Sequence, residues 1–330
     1  MRLFPLLLAL SLPAFSAPLK LVTFNVENLF DWTHDAGKED YTYLPVAVKN
    51  RSREVQAYCA RQPSAFKRDC FELDWTEAVV RAKARGLATF LMGTFPQGPD
   101  VVVTQEVENL NVLTILAAAM GPAYKAILLE GPDERGIDVG VITRLPVLHQ
   151  QLRPIVLADG DHTRGILRVD VNHGNQRVSV LANHWPSQGN PDEDRMTAAQ
   201  TLATFAQETA QQSNAVIAAG DFNTAPDDVL DGIQEVLLPL FWDAEAEARR
   251  MGVALFDGTY NYKGRWQSLD HIFIMKGGRV PAWNSVFIPF EGMLETRMFN
   301  GQLEQHPRRY NPRTGEGLSD HLPMKMEIAL

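Results

Sequence analysis

Short apolar segments separated by polar clusters make up most of this chain, and their period changes along its length. Leu19 to Val26 (LKLVTFNV) is strand-like, rich in β-branched and aromatic side chains, with Asn25 near its end. Asp74 to Glu77 resembles a helix N-cap with its return partner, and the helical period that follows reaches about Phe90 before Gly93 and Pro96 end it. Asp100 to Gln105 (DVVVTQ) reads as an apolar strand delivering Glu106, followed by a helix from about Asn111 to Met120. Beyond that, strands are expected at 123–129, 138–144, 147–156, 166–171 and 177–183, divided by Gly, Pro, Asn and Asp clusters that suit antiparallel neighbours. A long helix over 193–212 leads to a strand at 215–219, a further helix is expected near Asp227, and strands at 268–275 and 323–329 close the chain. Residues 31–73 have no clean period and read as a long excursion shaping the rim of a site. Mixed order of this kind predicts sheets with helices outside.

The polar clusters fall where the apolar runs stop. VIAAGDFN ends in Asp221 and Asn223, two apart, so their side chains leave an extended chain from one face. Leu269-Asp270-His271 and Ser319-Asp320-His321 flank the last two strands. Asp320 beside His321 suggests an oriented, basic imidazole. Because these groups begin at Asn25 and end at His321, the expectation is one catalytic domain over 17–330.

Residues 1–16 (MRLFPLLLALSLPAFS) have a basic start at Arg2, a short apolar run and small residues near Ala14 and Ser16. They read as a secretory signal, because spanning a bilayer takes about 20 apolar residues. The product is expected to be periplasmic or extracellular, with no transmembrane segment. Cys59 and Cys70 are the only cysteines. In an oxidising compartment they are expected to pair and staple the 31–73 excursion, stabilising by about 3 kcal/mol in the chain-entropy view, with two buried free thiols as the alternative. The formal charge is −9 for all 330 residues. No basic stripe is visible, so a polyanionic substrate would have to be met locally, with a metal ion's help.

Taken in order, TFNVEN, TQEVEN, GIDVGVI, TRGILRV, LANHWPS, GDFN, SLDHIF and LSDH resemble the endonuclease/exonuclease/phosphatase family, the DNase I-like group. The resemblance implies an α/β fold, a four-layered α/β/β/α sandwich of two mixed, largely antiparallel sheets. It also implies hydrolysis of phosphate esters with a divalent metal, usually Mg2+, with Mn2+ or Ca2+ as alternatives. Matched to the family's positions, Glu106 and Asn25 become metal ligands, and Asp320 has a second duty there. Hard oxygen donors of this kind suit magnesium, which keeps several waters.

By the same matching, His321 becomes the base that activates water, polarised by Asp320, and Asp270 supports it. Asp221 and Asn223 lie beside the phosphate, with Asn223 donating to a phosphoryl oxygen; the alternative for the pair is an Asx turn ahead of Pro226. His184 would contact phosphate or serve the leaving group. Asp138 departs from the family's pattern, and its expected role is to pair with His184 and keep it protonated. Arg164 matches a phosphate-gripping position, with Arg168 as a rival by proximity. Trp185 and Trp266 are expected to pack rather than stack on substrate.

Three functions follow: an exported nuclease acting on DNA or RNA, a phosphatase or phospholipase C-like hydrolase of a phospholipid headgroup or small phosphate ester, and a silent binding protein on the same scaffold. Intact metal, phosphate and base positions count against the third, and HWPS and GDFN beside SDH, with the export signal, motivate the first. No protein partner is evident from the sequence.

Overall fold

The computed structural model describes residues 17–225, 227–277, 283–299 and 301–330, so the proposed signal at 1–16 and Pro226 lie outside the described residues. The chain opens with β1 (Leu19–Leu29), short helices α1 (Val46–Lys49), α2 (Arg53–Arg61) and α3 (Ser64–Glu72), then the long α4 (Glu77–Gly93). Next come β2 (Val101–Val107), α5 (Leu110–Met120), β3 (Lys125–Ile127), β4 (Asp138–Thr143), β5 (Val147–Val156), β6 (His162–His173) and β7 (Gln176–His184). The second half holds α6 (Asp192–Ala210), β8 (Ala215–Asp221), β9 (Phe241–Asp243), α7 (Ala244–Arg250), β10 (Tyr260–Tyr262), β11 (Arg265–Gln267) and β12 (Asp270–Met275). Last are β13 (Leu294–Phe299), β14 (Gln302–Pro307) and β15 (Met324–Ile328).

Two mixed sheets result, one of five strands in the order β15-β1-β2-β4-β3 and one of six in the order β5-β6-β7-β8-β12-β9. β1 runs parallel to β2 and β7 parallel to β8; the other neighbours are antiparallel. The sheets face each other across one core, where Leu21, Val103 and Val141 meet Val169, Val180, Ile217 and Ile272. α4 and α5 cover the outer face of the first sheet through Leu87, Leu91, Leu113 and Leu116. α6 covers the second through Leu202 and Phe205. β8 makes the layering explicit: Ile217 and Ala219 face the other sheet while Val216 and Ala218 face α6, which is why its sequence is apolar without alternation. This is the four-layered α/β/β/α arrangement.

Two expectations are corrected. The 31–73 segment is an excursion from the sheets, but it folds into α1–α3 around its own small core of Leu44, Val55, Cys59 and Cys70. Cys59 and Cys70 form a disulfide joining α2 to α3, with Cα atoms 5.4 Å apart. The helix expected near Asp227 does not form among the described residues; a π-helical turn, Ile233–Leu237, follows instead. Carboxylates there capture backbone N–H groups a helix would have used: Asp192 accepts from Val229 at 2.8 Å, and Asp231 from Ile233 and Gln234 at 3.0 Å. Boundary changes elsewhere are small, the largest being β6, which runs His162–His173 against the expected 166–171, while β3 keeps only Lys125–Ile127 of the expected 123–129. Among the described residues no helix is long and apolar enough to cross a membrane.

Candidate active site

Strand register assembles the site. Asp221 at the end of β8 has His184 of β7 and Asp270 of β12 as its lateral partners, so three functional side chains stand in one row across neighbouring strands. Gly220 permits this closeness: its φ is +150°, and a Cβ there would stand 2.0 Å from the Asn183 carbonyl oxygen. Across the core, β1 and β2 both lose register, between Asn25 and Leu29 and between Gln105 and Val107. The two irregularities lift Glu27, Asn28 and Glu106 out of the ladder. Their φ values are +50°, +53° and +60°, and that of Asn223 is +49°. Left-handed backbone at four non-glycine residues in one place means that side-chain contacts hold the chain against its local preference.

The contacts are specific. Buried Asn25 donates from Nδ2 to Glu106 Oε1 at 3.2 Å and to Asp221 Oδ2 at 3.1 Å, and its Oδ1 accepts the Glu27 N–H at 3.0 Å. Glu106 Oε2 accepts the Asn28 N–H at 2.9 Å. Asp221 Oδ1 accepts the Asn223 N–H at 2.9 Å, and Asn223 donates its side-chain N–H to the Trp185 carbonyl at 3.1 Å. The Asx turn is therefore real, and it is also what holds Asn223 at the cleft.

The expected Asp320–His321 partnership is corrected. His321 Nδ1 is 2.8 Å from Asp270 Oδ2, and its Nε2 lies 3.8 Å from Asp221 Oδ2. Asp320 turns instead to Arg309, 3.1 Å away. Burial by itself would keep the His321 imidazole neutral, but Asp270 and then Asp221 outweigh it and raise its pKa well above the ordinary histidine value. Burial in turn raises Asp221 to about 7 against the opposing pull of His321. The two carboxylates thus favour the protonated form of the imidazole.

The Asp138–His184 pairing is also corrected. Asp138 accepts the Gly131 N–H on both oxygens, at 2.9 and 3.1 Å, and burial raises it to about 7. His184 Nδ1 is buried without a partner. Burial, reinforced by Arg164 and Arg135, lowers the His184 pKa well below normal, so this imidazole is neutral rather than a protonated acid. Its 3.7 Å approach to Asp221 is a polar contact and not an ion pair.

Arg164 is buried beside Asp133, 3.6 Å away, and its Nε has no partner. With His184, Asn223, Glu106 and His321 it lines a cleft of 720 Å3. The rival Arg168 is committed elsewhere: it is buried and grips Asp170 with two 2.7 Å bonds. Trp185 is buried against Phe222, and Trp266 packs on Phe256. His271, to which no role was assigned, is fixed by Asp243 at 3.0 Å, and that carboxylate overcomes burial to raise it to about 9.

Several neighbours escaped sequence reasoning. Tyr260 bridges to the His321 backbone, and the two rings pack at a tilt of 34° with centroids 4.8 Å apart. Glu27 lies two residues beyond Asn25, the one cue available; burial and then the Asp320 charge raise it to about 7, and its Oε2 is buried without a partner. Lys83, buried on α4, donates to the Glu27 carbonyl, and burial lowers it to about 8.

These groups fit a divalent ion. Glu106, Glu27 and Asp320 offer hard oxygens beside the Asn25 amide, and the unpartnered Glu27 oxygen is a vacant donor site. Among the described residues no three His, Cys, Asp or Glu side chains form a ligand shell alone. Magnesium takes one or two carboxylates and completes its shell with water.

Sequence and fold comparisons agree with the architecture of the two sheets. The Endonuclease/Exonuclease/phosphatase family model matches residues 65–330. The chain belongs to that family of phosphoester hydrolases. Among solved structures it is similar to an endonuclease/exonuclease/phosphatase family protein from Leptotrichia buccalis, at 17% identity and TM-score 0.54, covering 94% of this chain and 100% of that one. A mannosyl-6-phosphatase from Bacteroides thetaiotaomicron gives 14% and 0.56 over 94% and 100%. D. rerio TDP2 complexed with single strand DNA product gives 17% and 0.52 over 93% and 97%. At these identities the likeness is one of fold. No curated protein matches the sequence.

Proposed function

We propose that the chain is an exported, metal-dependent phosphodiesterase that hydrolyses DNA or RNA by attack of water on phosphorus. The observation that carries this reading is the row His184–Asp221–Asp270 with His321 clamped above it, facing a cleft that holds Arg164 and Asn223. Arg164 binds and orients non-bridging oxygens. Asn223 and neutral His184 offer N–H groups beside them. Asp221 takes the proton of the attacking water, and charged His321, held in one tautomer by Asp270, stabilises the negative charge that develops. Glu106, Glu27 and Asp320 would hold Mg2+, with Mn2+ or Ca2+ as substitutes, and Asn25, expected as a ligand but turning its Nδ2 to Glu106 and Asp221, would orient the Glu106 carboxylate. When bound, the ion supplies charge neutralisation at the phosphoryl and leaving oxygens.

Export is supported by the residues 1–16 pattern and by the disulfide, a bond suited to an oxidising compartment. We read 17–330 as one catalytic domain, since its functional groups come from both ends of the chain. The net charge of −9 favours a second reading, a phospholipid headgroup or small phosphate ester as substrate. A panel of plasmid, RNA, lipid vesicles and sugar phosphates, each with and without Mg2+, decides between them. Faster turnover of the vesicles or monoesters would replace the nuclease assignment.

A further inference from the structure

Arg309 stands on the loop between β14 and β15, and the backbone fixes where it points. The Arg308 N–H donates to the Met293 carbonyl at 2.6 Å and the Leu318 N–H to the Arg308 carbonyl at 2.9 Å. The Tyr310 hydroxyl reaches the Val79 carbonyl at 3.1 Å. Gly317 (φ +80°) passes so closely that a Cβ would lie 2.0 Å from the Arg309 carbonyl oxygen. Held on both sides, Arg309 sends its guanidinium over the carboxylates of the candidate cation site. Nε donates to Glu27 Oε1 at 2.5 Å, and Nη2 lies 3.1 Å from Asp320 Oδ2. One side chain thus bridges two groups that the ion would need.

The two cations here differ in one decisive respect. Lys83 is 2% exposed and boxed between the rings of Trp75 and Tyr310, so it has nowhere to go. The Arg309 side chain is 51% exposed and borders the 1420 Å3 groove walled by the disulfide-stapled helices. Releasing it exchanges a half-solvated pairing for a solvated guanidinium, a small cost compared with stranding a buried charge.

We infer that Arg309 is a displaceable internal counter-ion: in the metal-free protein it holds Glu27 and Asp320, and a divalent cation binds by taking them from it. This rests on the metal site proposed above. Affinity for the ion is then set by competition. The guanidinium prevents carboxylate repulsion while the site is empty and weakens metal binding by the energy of the bonds it gives up.

Calorimetric titration of the metal-free mature chain with Mg2+, alongside thermal melting with and without the ion, tests this. Arg309→Gln should bind Mg2+ at least about tenfold more tightly than wild type, a difference of about 1.4 kcal/mol. Its melting temperature should fall without metal and rise more on adding it. Arg309→Lys keeps a charge but loses the two-armed bridge, and should show a smaller gain; it decides the question should the Gln variant not fold. Arg308→Gln, whose guanidinium pairs with Glu316 at 2.6 Å, should match wild type. Equal or weaker Mg2+ binding in both Arg309 variants, with wild type still binding, would overturn the inference and leave the metal site standing, with Arg309 as a fixed clamp. Absence of Mg2+ binding in every protein would overturn both.

Discussion

Replacing Asp270 by Asn changes one charge at the centre of the site and almost no volume. Asp270 is fully buried, with Oδ2 2.8 Å from His321 Nδ1 and Oδ1 unpartnered. Removing one member of a buried ion pair costs about 3–5 kcal/mol. The Asn carbonyl can still accept the Nδ1–H, which returns about 1 kcal/mol. Asp221, 3.8 Å from Nε2, continues to support the imidazolium. A net loss of about 2–3 kcal/mol at neutral pH follows. Its pH dependence has a definite sign. The His321 pKa is raised in the folded protein, so the stabilisation is complete below the unfolded histidine value, about 6.5, and disappears as pH rises through the elevated folded value. The gap between wild type and Asp270→Asn should therefore be widest at about pH 6 and close towards alkaline pH. Urea unfolding across that range measures it. The same variant should lose at least about a hundredfold in kcat with a smaller change in KM. A stability gap that stays constant with pH, or none at all, would refute the assignment of Asp270 as the partner of His321.

Glu106→Gln should abolish the Mg2+-induced rise in melting temperature, whereas retention of that rise would remove Glu106 from the ligand set. Arg164→Ala should cost activity with little change in stability; Arg168→Ala should destabilise by about 3 kcal/mol, by stripping a partner from buried Asp170, while the remaining folded protein keeps its kcat. Asp138→Asn should leave the titration of His184, followed by imidazole NMR, where it is in wild type; a displaced titration would restore the pairing that the geometry denies. Cys70→Ser should destabilise the α1–α3 excursion by about 3 kcal/mol and expose it to proteolysis ahead of the sheets.

The layers were legible because strand and helix periods differ and the apolar runs are long. β8 and α6 are marked plainly by VIAAG and by the repeat over 193–212. Partner choice was not legible. Asp320, adjacent to His321 in sequence, turns to Arg309, while Asp270, 51 residues earlier, is brought beside the His321 ring by the folded chain. The charge of a buried imidazole was equally hidden. His184 and His321 look alike as residues, but one sits near Arg164 and Arg135 and the other between two carboxylates, which drives their pKa values in opposite directions. The helices of 31–73 are nine residues or fewer, and the disulfide does part of the work that long apolar faces do elsewhere. Glu27 was obscured because its placement depends on two facing strand irregularities that no local pattern announces.

We propose that one site, built from Glu106, Asp221, His184, Asp270 and His321, hydrolyses phosphodiesters with a divalent ion. The most direct test is hydrolysis of single-stranded DNA and RNA by the purified mature chain, with Mg2+, after chelation, and in His321→Ala. Cleavage that needs the ion and falls at least about a hundredfold in the variant is the result expected. A folded, metal-loaded protein that leaves both nucleic acids intact, or a His321→Ala variant as active as wild type, would contradict the account.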